Sequence, residues 1–257
     1  MSSMKGIKFG DFDMQANGVT VTDTDVLSPP QNKIQADELA ERDGALVVKQ
    51  QYASKPFTVY GYLRASSATA LDTLLDTFKA AMSVRNQPFD IEHAGSVRRY
   101  LASQQNIIIS QSGPSVAGFS VQFLCPDGMG WDTEASALIS STNISQSAAT
   151  IPFVVGGSYK ADPYIKITVN TVSGGSNKTV SIGNASTLRT VSITRTWSNG
   201  DVVEMDRQKG ELLVNGIPHD YRGALLSFDA GAAGITWNDE FTARDVTILA
   251  NYTRRWL

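Results

Sequence analysis

The sequence predicts a mainly β protein with two domains. Period-two alternation of apolar and polar residues dominates the chain, a single segment has helical periodicity, and the composition changes near the middle. Such alternation is typical of antiparallel strands that have one face in a core and the other in water. The length of 257 residues suffices for one large domain or two ordinary ones, at roughly 100–200 residues per domain.

The first half of the chain contains two clearly alternating strands. "FTVYGYL" places Phe57, Val59 and Leu63 on one face, and "GFSVQFLC" does the same for its aromatic residues. Cys125 ends the second strand and has the parity of the buried face. We therefore expect the only cysteine of the chain to lie in a core, which excludes an internal disulfide and a multi-cysteine zinc site.

The helical segment lies between these strands, in "SSATALDTLLDTFKAAM". Its large apolar residues recur at i, i+3, i+4, i+7 and i+11, which forms one stripe along a helix. Ser66, Ser67 and Thr69 all precede the stripe and are residue types that cap helix N-termini. The pattern predicts one amphipathic helix from about residue 68 to 83.

A change of composition indicates the domain boundary. Residues 133–150 are rich in Ser, Thr and Ala, and the next stretch carries Gly156-Gly157. We predict a linker or crossing strand here. Residues 1–140 would form an α+β domain. Residues 141–257, with alternating strands in "YIKITVN", "RTVSITRTW" and "DVTILANYTRRW", would form an antiparallel β-sandwich.

A polar stretch in the first domain, residues 22–44, interrupts the strands. It reads "TDTDVLSPPQNKIQADELAERDG" and separates the strand-like "GVTVT" from "ALVVKQQY". Long loops without secondary structure are uncommon unless they have a function. We interpret it as a long loop or a projecting arm that wraps a neighbouring subunit. Deletion of roughly residues 20–42 is expected to leave the fold intact.

Composition excludes several classes of protein. The formal net charge is −3, and no basic stripe is present, so specific nucleic-acid binding is not expected. No apolar run approaches the roughly 18 residues of a membrane span, and the first thirty residues contain no signal-like stretch. The chain is expected to be made in the cytosol.

The sequence has no convincing catalytic, cofactor-binding or metal motif. His93 and His219 are far apart and lack metal-ligand spacing. The pairs "DFD" and "DTD" begin like calcium loops but do not continue with the required Gly and Glu. No phosphate-binding loop and no G-x-S-x-G motif occur. A hydrolytic enzyme is the weakest of the alternatives and would require a carboxylate in an apolar setting.

Residues 198–216, "SNGDVVEMDRQKGELLVNG", resemble a binding site most closely, and we call them the signature hairpin. Gly200, Asp201, Asp206, Asn215 and Gly216 could belong to a metal or phosphate loop. However, the glycines fall at the ends of short apolar pieces, and Asn-Gly is a strong turn signal. We therefore predict a β-hairpin with its acids in turns or on the wet face.

The tryptophans allow two interpretations. Trp197 and Trp237 lie in predicted strands of the second domain and could form a platform on which sugars stack. Their strand parity matches the apolar face, which favours a role in filling the core.

The order of motifs along the whole chain resembles the distal tail (Dit) proteins of long-tailed, non-contractile bacteriophages (siphoviruses). In the first domain these motifs are "ERDGALVVKQQYASKPFTVYGYL", the helix, "FDIEHAGSVRRYLASQQNI" and "GFSVQFLCPDGMGW". In the second they are the signature hairpin, "YRGALLSFDAGAAGITW" and "ANYTRRWL". "GAAGITW" departs from the family, which has an Asn before this strand.

The resemblance implies a structural protein of the phage tail tip or baseplate. Such proteins form hexameric rings, sometimes paired. The first domain closes the ring with a belt-like arm, and the second is a galectin-like sandwich outside it. The last strand could return to the first domain. Partners would be the tail tube protein and the tail-tip hub or fibre proteins, within a virion assembled in the host cytoplasm.

Two further expectations follow from this resemblance. DNA must pass through the ring channel. The net negative charge of the chain suits a channel lining that does not bind the DNA phosphates tightly. The alternative function is a host-surface carbohydrate-binding module carried by the second domain, with Trp197 and Trp237 as the stacking residues. No cofactor is expected.

Overall fold

The computed structural model describes residues 6–38 and 43–257. Within these residues the chain forms twenty strands and a single helix, and its paired strands run antiparallel, so the mainly β prediction is confirmed. The chain divides into two compact units: the first runs to Thr133 and includes Leu257, and the second is Glu134–Trp256.

The first unit contains nine strands and the helix, and a tenth strand begins in it. The bounds are β1 Lys8–Phe9, β2 Phe12–Asp13, β3 Val19–Thr24, β4 Asn32–Glu38, β5 Ala45–Tyr52, β6 Lys55–Arg64, α1 Ala68–Met82, β7 Gln87–His93, β8 Ser96–Gly113, β9 Val116–Cys125 and β10 Gly130–Ile144. Seven of them pair in the order β3-β6-β9-β8-β7-β1-β2, while β4 and β5 pair only with each other. The long strand β8 pairs first with β7 and then with β9.

An aromatic core holds the first unit together. Phe57 stacks on Phe123 with ring centroids 5.2 Å apart and meets Phe89 edge-on at 4.9 Å. Helix α1 adds Leu71, Phe78 and Met82 to the same core, as its apolar stripe predicts. Ser67 caps it by accepting a hydrogen bond from the backbone N–H of Ala70.

Ten further strands belong to the second unit. Their bounds are β11 Ala149–Val155, β12 Tyr164–Ser173, β13 Lys178–Asn184, β14 Thr190–Arg195, β15 Val202–Asp206, β16 Glu211–Val214, β17 Ile217–Pro218, β18 Arg222–Gly223, β19 Gly231–Asp239 and β20 Ala243–Trp256. One sheet has the order β17-β16-β15-β12-β20-β10 and the other β11-β19-β13-β14-β18. Residues from both sheets share one core, so this unit is a β-sandwich.

Alternation along the strands matches burial closely. In β12, Ile165, Ile167 and Val169 are buried whereas Lys166 is exposed. The Ser/Thr/Ala-rich stretch predicted as a linker or crossing strand is largely the strand β10, and the two units divide at Thr133–Glu134 rather than at residues 140–141. The last strand, β20, belongs to the second unit, and only Leu257 groups with the first.

Candidate interaction surfaces

The signature hairpin has the backbone of two consecutive tight turns. Strands β15 and β16 pair from Val203↔Val214 to Asp206↔Glu211, and β16 pairs with β17 in turn. Between β16 and β17, Asn215 and Gly216 have φ values of +53° and +77°. Positive φ at both central residues is the geometry of a two-residue hairpin turn, which Asn-Gly favours.

Asp201 and Asn215 fasten the two ends of this hairpin to each other. The Asn215 side-chain amide donates to Asp201 Oδ1 at 2.8 Å, and its oxygen accepts from the Val202 N–H at 2.8 Å. Asp201 Oδ2 accepts from the Ser198 N–H at 2.8 Å and lies 3.6 Å from the Arg195 guanidinium. These contacts are all internal, so they account for both residues without a ligand.

Asp201 lies at the turn that follows Ser198, where its backbone N–H donates to the Ser198 carbonyl at 3.2 Å, in line with the turn placement expected for the acids of the hairpin. It is nevertheless buried, with only 6% of its surface exposed. Arg195, on strand β14, supplies the compensating charge, and the sequence pattern does not show that contact. Asp206 does lie at a turn, where Oδ1 accepts from the backbone N–H groups of Gln208 and Lys209 at 3.0 and 3.1 Å.

Trp197 and Trp237 fill the core of the sandwich. They are 4% and 1% exposed, and their indole N–H groups donate to the Lys178 carbonyl at 2.9 Å and to Asp239 Oδ2 at 2.6 Å. Neither ring face is available to a sugar at the surface. The burial of both rings agrees with the core-filling interpretation that strand parity favours over a stacking platform.

The titratable residues do not assemble into a metal centre in the part of the chain that is described. No group of three or more His, Cys, Asp or Glu residues in residues 6–38 and 43–257 could hold a metal ion. Asp13 instead accepts from the Ala16 N–H at 3.0 Å, and this hydrogen bond lowers the pKa of its carboxyl. Asp25 accepts from the Thr58 N–H at 2.6 Å, so both candidate calcium pairs have a member in a local structural role.

Strands β4 and β5 form a separate two-stranded ribbon, which we call the exposed hairpin. Every residue of β4 is exposed, and every residue of β5 except Tyr52. Four large aliphatic side chains are more than half exposed there, namely Ile34, Leu46, Val47 and Val48. An isolated ribbon of two strands is only marginally stable in water. Exposed apolar side chains that lie together commonly mark a contact with another surface.

The apolar residues occupy both faces of the exposed hairpin. Ile34 and Ala36 are two residues apart on β4 and share a face, where Ala36 pairs with Val47. Leu46 pairs with Asp37 on the other face, and the register shifts between Gln35 and Ala36. A body that buried this ribbon would have to contact it on two sides.

The base of the exposed hairpin is fixed to the body by buried contacts. The Ala53 N–H donates to the Gln31 carbonyl at 2.8 Å and closes the ribbon. The Lys55 ammonium, whose residue is 2% exposed, donates to the carbonyl of Val26 and lies 4.7 Å from the centroid of the Tyr100 ring. Burial lowers the pKa of Lys55 to about 8.

A close backbone contact adds to this base. Gly128 has φ of +72°, and a Cβ atom there would lie 2.7 Å from the Ala53 carbonyl and 3.1 Å from Pro30. The chain beyond Cys125 therefore packs directly against both ends of the exposed hairpin. Cys125 itself is fully buried, and burial raises the pKa of its thiol.

The predicted arm needs correction in its bounds. Residues 22–44 include part of β3, and the buried Val26 belongs to the core, so deletion of residues 20–42 would remove core contacts. The projecting ribbon is instead Asn32–Tyr52. It includes "ALVVKQQY", whose four consecutive apolar residues do not fit the alternation of an ordinary half-buried strand. Residues 39–42, with Arg42 of the resemblance motif, lie outside the described residues.

Comparison with known proteins supports the fold alone. No protein-family model matches the chain, and no curated protein sequence matches it. Among solved structures, SPP1 Dit (gp 19.1) matches with a TM-score of 0.67 over 100% of both chains at 12% identity. A chain of the phage P2 baseplate in its activated conformation with Ca matches over 95% of this chain and 92% of its own, at 6% identity and a TM-score of 0.45.

The similarity to the phage P2 baseplate chain is too low to support an inference, whereas the alignment with SPP1 Dit covers both units. The resemblance to distal tail proteins is therefore confirmed at the level of the fold. The described residues also contain no helix long and apolar enough to cross a membrane. The chain has the fold of SPP1 Dit, from its first unit to its last strand.

Proposed function

We propose that this protein is a structural component of a phage tail tip. It would form a hexameric ring that joins the tail tube to the tail-tip hub or receptor-binding apparatus and lets DNA pass. The observation that carries the proposal is the exposed hairpin, a rigidly based ribbon with four exposed aliphatic residues. The match to SPP1 Dit, described as a paradigm of hub adsorption apparatus in Gram-positive infecting phages, supports the context.

The exposed hairpin would close the ring by lying on the neighbouring subunit. In the isolated chain the apolar side chains on both faces of the hairpin are exposed to water, so they contribute no free energy of burial. Burying one Ile or Val side chain is worth about 1.5–3 kcal/mol. Because a ring of six has six such contacts and no free end, even modest burial in each would favour the closed assembly.

The remaining partners follow from the same proposal. The tail tube protein would contact one side of the ring and hub or fibre proteins the other, within a virion assembled in the host cytoplasm. The net charge of −3 supports a channel that does not retain DNA, because tight phosphate contacts require clustered cations. A non-enzymatic role is supported by the internal hydrogen bonds of Asp13 and Asp201 and by the burial of the Cys125 thiol.

The experiment compares the full chain with a double variant, Ile34→Glu/Val47→Glu. We expect the full chain to form hexamers or paired hexamers in light scattering, with a central hole in negative-stain images. The double variant should be monomeric at the same concentration, because charges then replace the apolar contact. Its thermal unfolding should be unchanged, since both positions are exposed.

Ile217→Glu is the matched control, because Ile217 is 68% exposed on β17 of the second unit. It should form rings as well as the unmodified chain. A full chain that stays monomeric at high concentration, with or without tail tube protein, would contradict the proposal. Rings of normal stability from the double variant would contradict the role of the exposed hairpin.

A further inference from the structure

A polar groove lies at one edge of the sandwich, and neither Trp197 nor Trp237 is among its lining residues. Its volume is about 520 Å³. It is lined by Ser192, Thr194, His219, Asp220, Tyr221 and Arg222. The volume falls in the range of roughly 300–1,000 Å³ that is usual for small-ligand sites, although such sites are mostly apolar. The polar lining instead suits a ligand with many hydroxyl groups.

The floor of the groove is a preorganised set of hydroxyls. Ser192 Oγ is 2.8 Å from Ser181 Oγ, and Thr194 Oγ1 is 2.9 Å from Thr179 Oγ1. A hydroxyl has one proton and two lone pairs, so each pair uses one proton internally. Each pair therefore still offers one donor and several acceptor sites outward, in fixed positions on paired strands β13 and β14.

The wall of the groove is held at both ends. The N–H of His219 donates to the Leu212 carbonyl at 3.1 Å, and strand β18 places Arg222 opposite Ser192. Gly223 permits this approach: its φ is +96°, and a Cβ atom there would lie 1.9 Å from the Thr190 carbonyl oxygen. The loop that carries Tyr221 is thus anchored between two strands.

The wall of the groove supplies an aromatic ring and further hydrogen-bonding groups that a sugar ring can contact. Tyr221 is 37% exposed, so part of its ring faces solvent beside the hydroxyl floor. Asp220 adds a carboxylate acceptor and Arg222 a guanidinium donor. His219 Nδ1 is 2.7 Å from the Asp220 carbonyl oxygen, which only accepts, so the neutral ring leaves Nε2 as an acceptor.

We propose that this groove binds a neutral polysaccharide, with one sugar ring against Tyr221 and its hydroxyls bonded to Ser192, Thr194, Asp220 and Arg222. An anionic polymer fits less well, because Asp220 offsets the charge of Arg222. The proposal moves the carbohydrate function of the second unit from Trp197 and Trp237 to a surface that a ligand can reach. It is independent of ring formation.

The test screens the full chain against an array of neutral bacterial surface polysaccharides and their di- and trisaccharides, and measures hits by calorimetry. We expect at least one hit, and Tyr221→Ala should weaken it roughly tenfold or more. Arg222→Ala should also weaken it. Tyr60→Ala, which removes an exposed tyrosine of the first unit, should bind normally. The Ile34→Glu/Val47→Glu variant should keep the same affinity per chain.

Three results would overturn the proposal. The first is an array without a hit. The second is unchanged affinity in a Tyr221→Ala variant whose thermal unfolding matches that of the full chain. The third is binding that weakens steeply with added salt, because that dependence indicates capture of an anionic polymer through Arg222.

Discussion

Two hairpins of this molecule share a backbone design and differ in where their side chains find partners. The signature hairpin buries Leu212 and Val214 and bonds its own ends through Asp201 and Asn215. The exposed hairpin buries none of its strand residues. The signature hairpin is packed and hydrogen-bonded within its own unit. The exposed hairpin has buried contacts only at its base.

This difference separates stability from assembly. Substitutions in the signature hairpin should change the free energy of unfolding because they leave buried groups without partners. Substitutions in the strands of the exposed hairpin should change association and leave unfolding alone, because the unfolded and folded chains expose these residues similarly. Three predictions test this contrast, in order of decreasing change in the free energy of unfolding.

The largest effect is expected for Asp201→Ala. It removes a buried acceptor of two hydrogen bonds and leaves Arg195 without its nearby charge, so we expect a loss of about 3 kcal/mol of unfolding free energy. Urea unfolding followed by tryptophan fluorescence measures it. Asp229→Ala, at an exposed acid of the same unit, should cost less than about 0.5 kcal/mol. Equal effects of the two variants would contradict a stabilising role for the buried Asp201 carboxylate.

The second effect concerns Lys55 at the base of the exposed hairpin. Burial lowers its pKa from 10.5 to about 8 in the folded protein. Between these values the unfolded chain binds more protons than the folded chain, so stability should rise with pH over this window. The rise from pH 7.5 to 10 should be about 2 kcal/mol, since one pKa unit corresponds to 1.36 kcal/mol.

The same pH series with Lys55→Met isolates this group. The rise should be absent from Lys55→Met and present in Lys49→Met, which changes an exposed lysine of β5. Parallel pH profiles for the full chain and Lys55→Met would show that Lys55 does not titrate differently on unfolding. That result would contradict the conclusion that burial desolvates the Lys55 ammonium at the base of the exposed hairpin.

The smallest effect is expected at the turn between β16 and β17. Asn215→Gly removes the bonds to Asp201 and Val202 and keeps the positive φ, which should cost about 1 kcal/mol. Asn215→Ala loses the same bonds and adds the strain of a left-handed backbone, so it should cost about 2 kcal/mol. Thermal unfolding of both variants tests the order, and a reversed order would contradict the turn geometry.

Sequence patterns predict the local features of this fold well. The helix over residues 68–82, the burial of Cys125 and the turns at Gly200 and Asn215-Gly216 all follow from periodicity or turn chemistry. Strand parity also favours burial of Trp197 and Trp237. These features depend on residues within a few positions of one another, which is the range over which such patterns carry information.

Features that depend on distant pairing could not be predicted in the same way. Asp201 is buried because Arg195 and Asn215 converge on it, and an acid after Gly200 otherwise indicates a wet turn. The groove exists because β18 pairs with β14, a register that no local pattern specifies. Polar composition predicts an arm that ends before residue 45, whereas the apolar strand β5 is an exposed part of the same ribbon.

The burial of Cys125 makes the chain suited to site-specific labelling. Its thiol is the only one in the sequence, has no exposed surface and a raised pKa, and so should react slowly with maleimides. A single Val47→Cys substitution in the full chain would then carry the only fast-reacting thiol. A fluorophore attached there would report the docking of the exposed hairpin in real time, without replacement of the native cysteine.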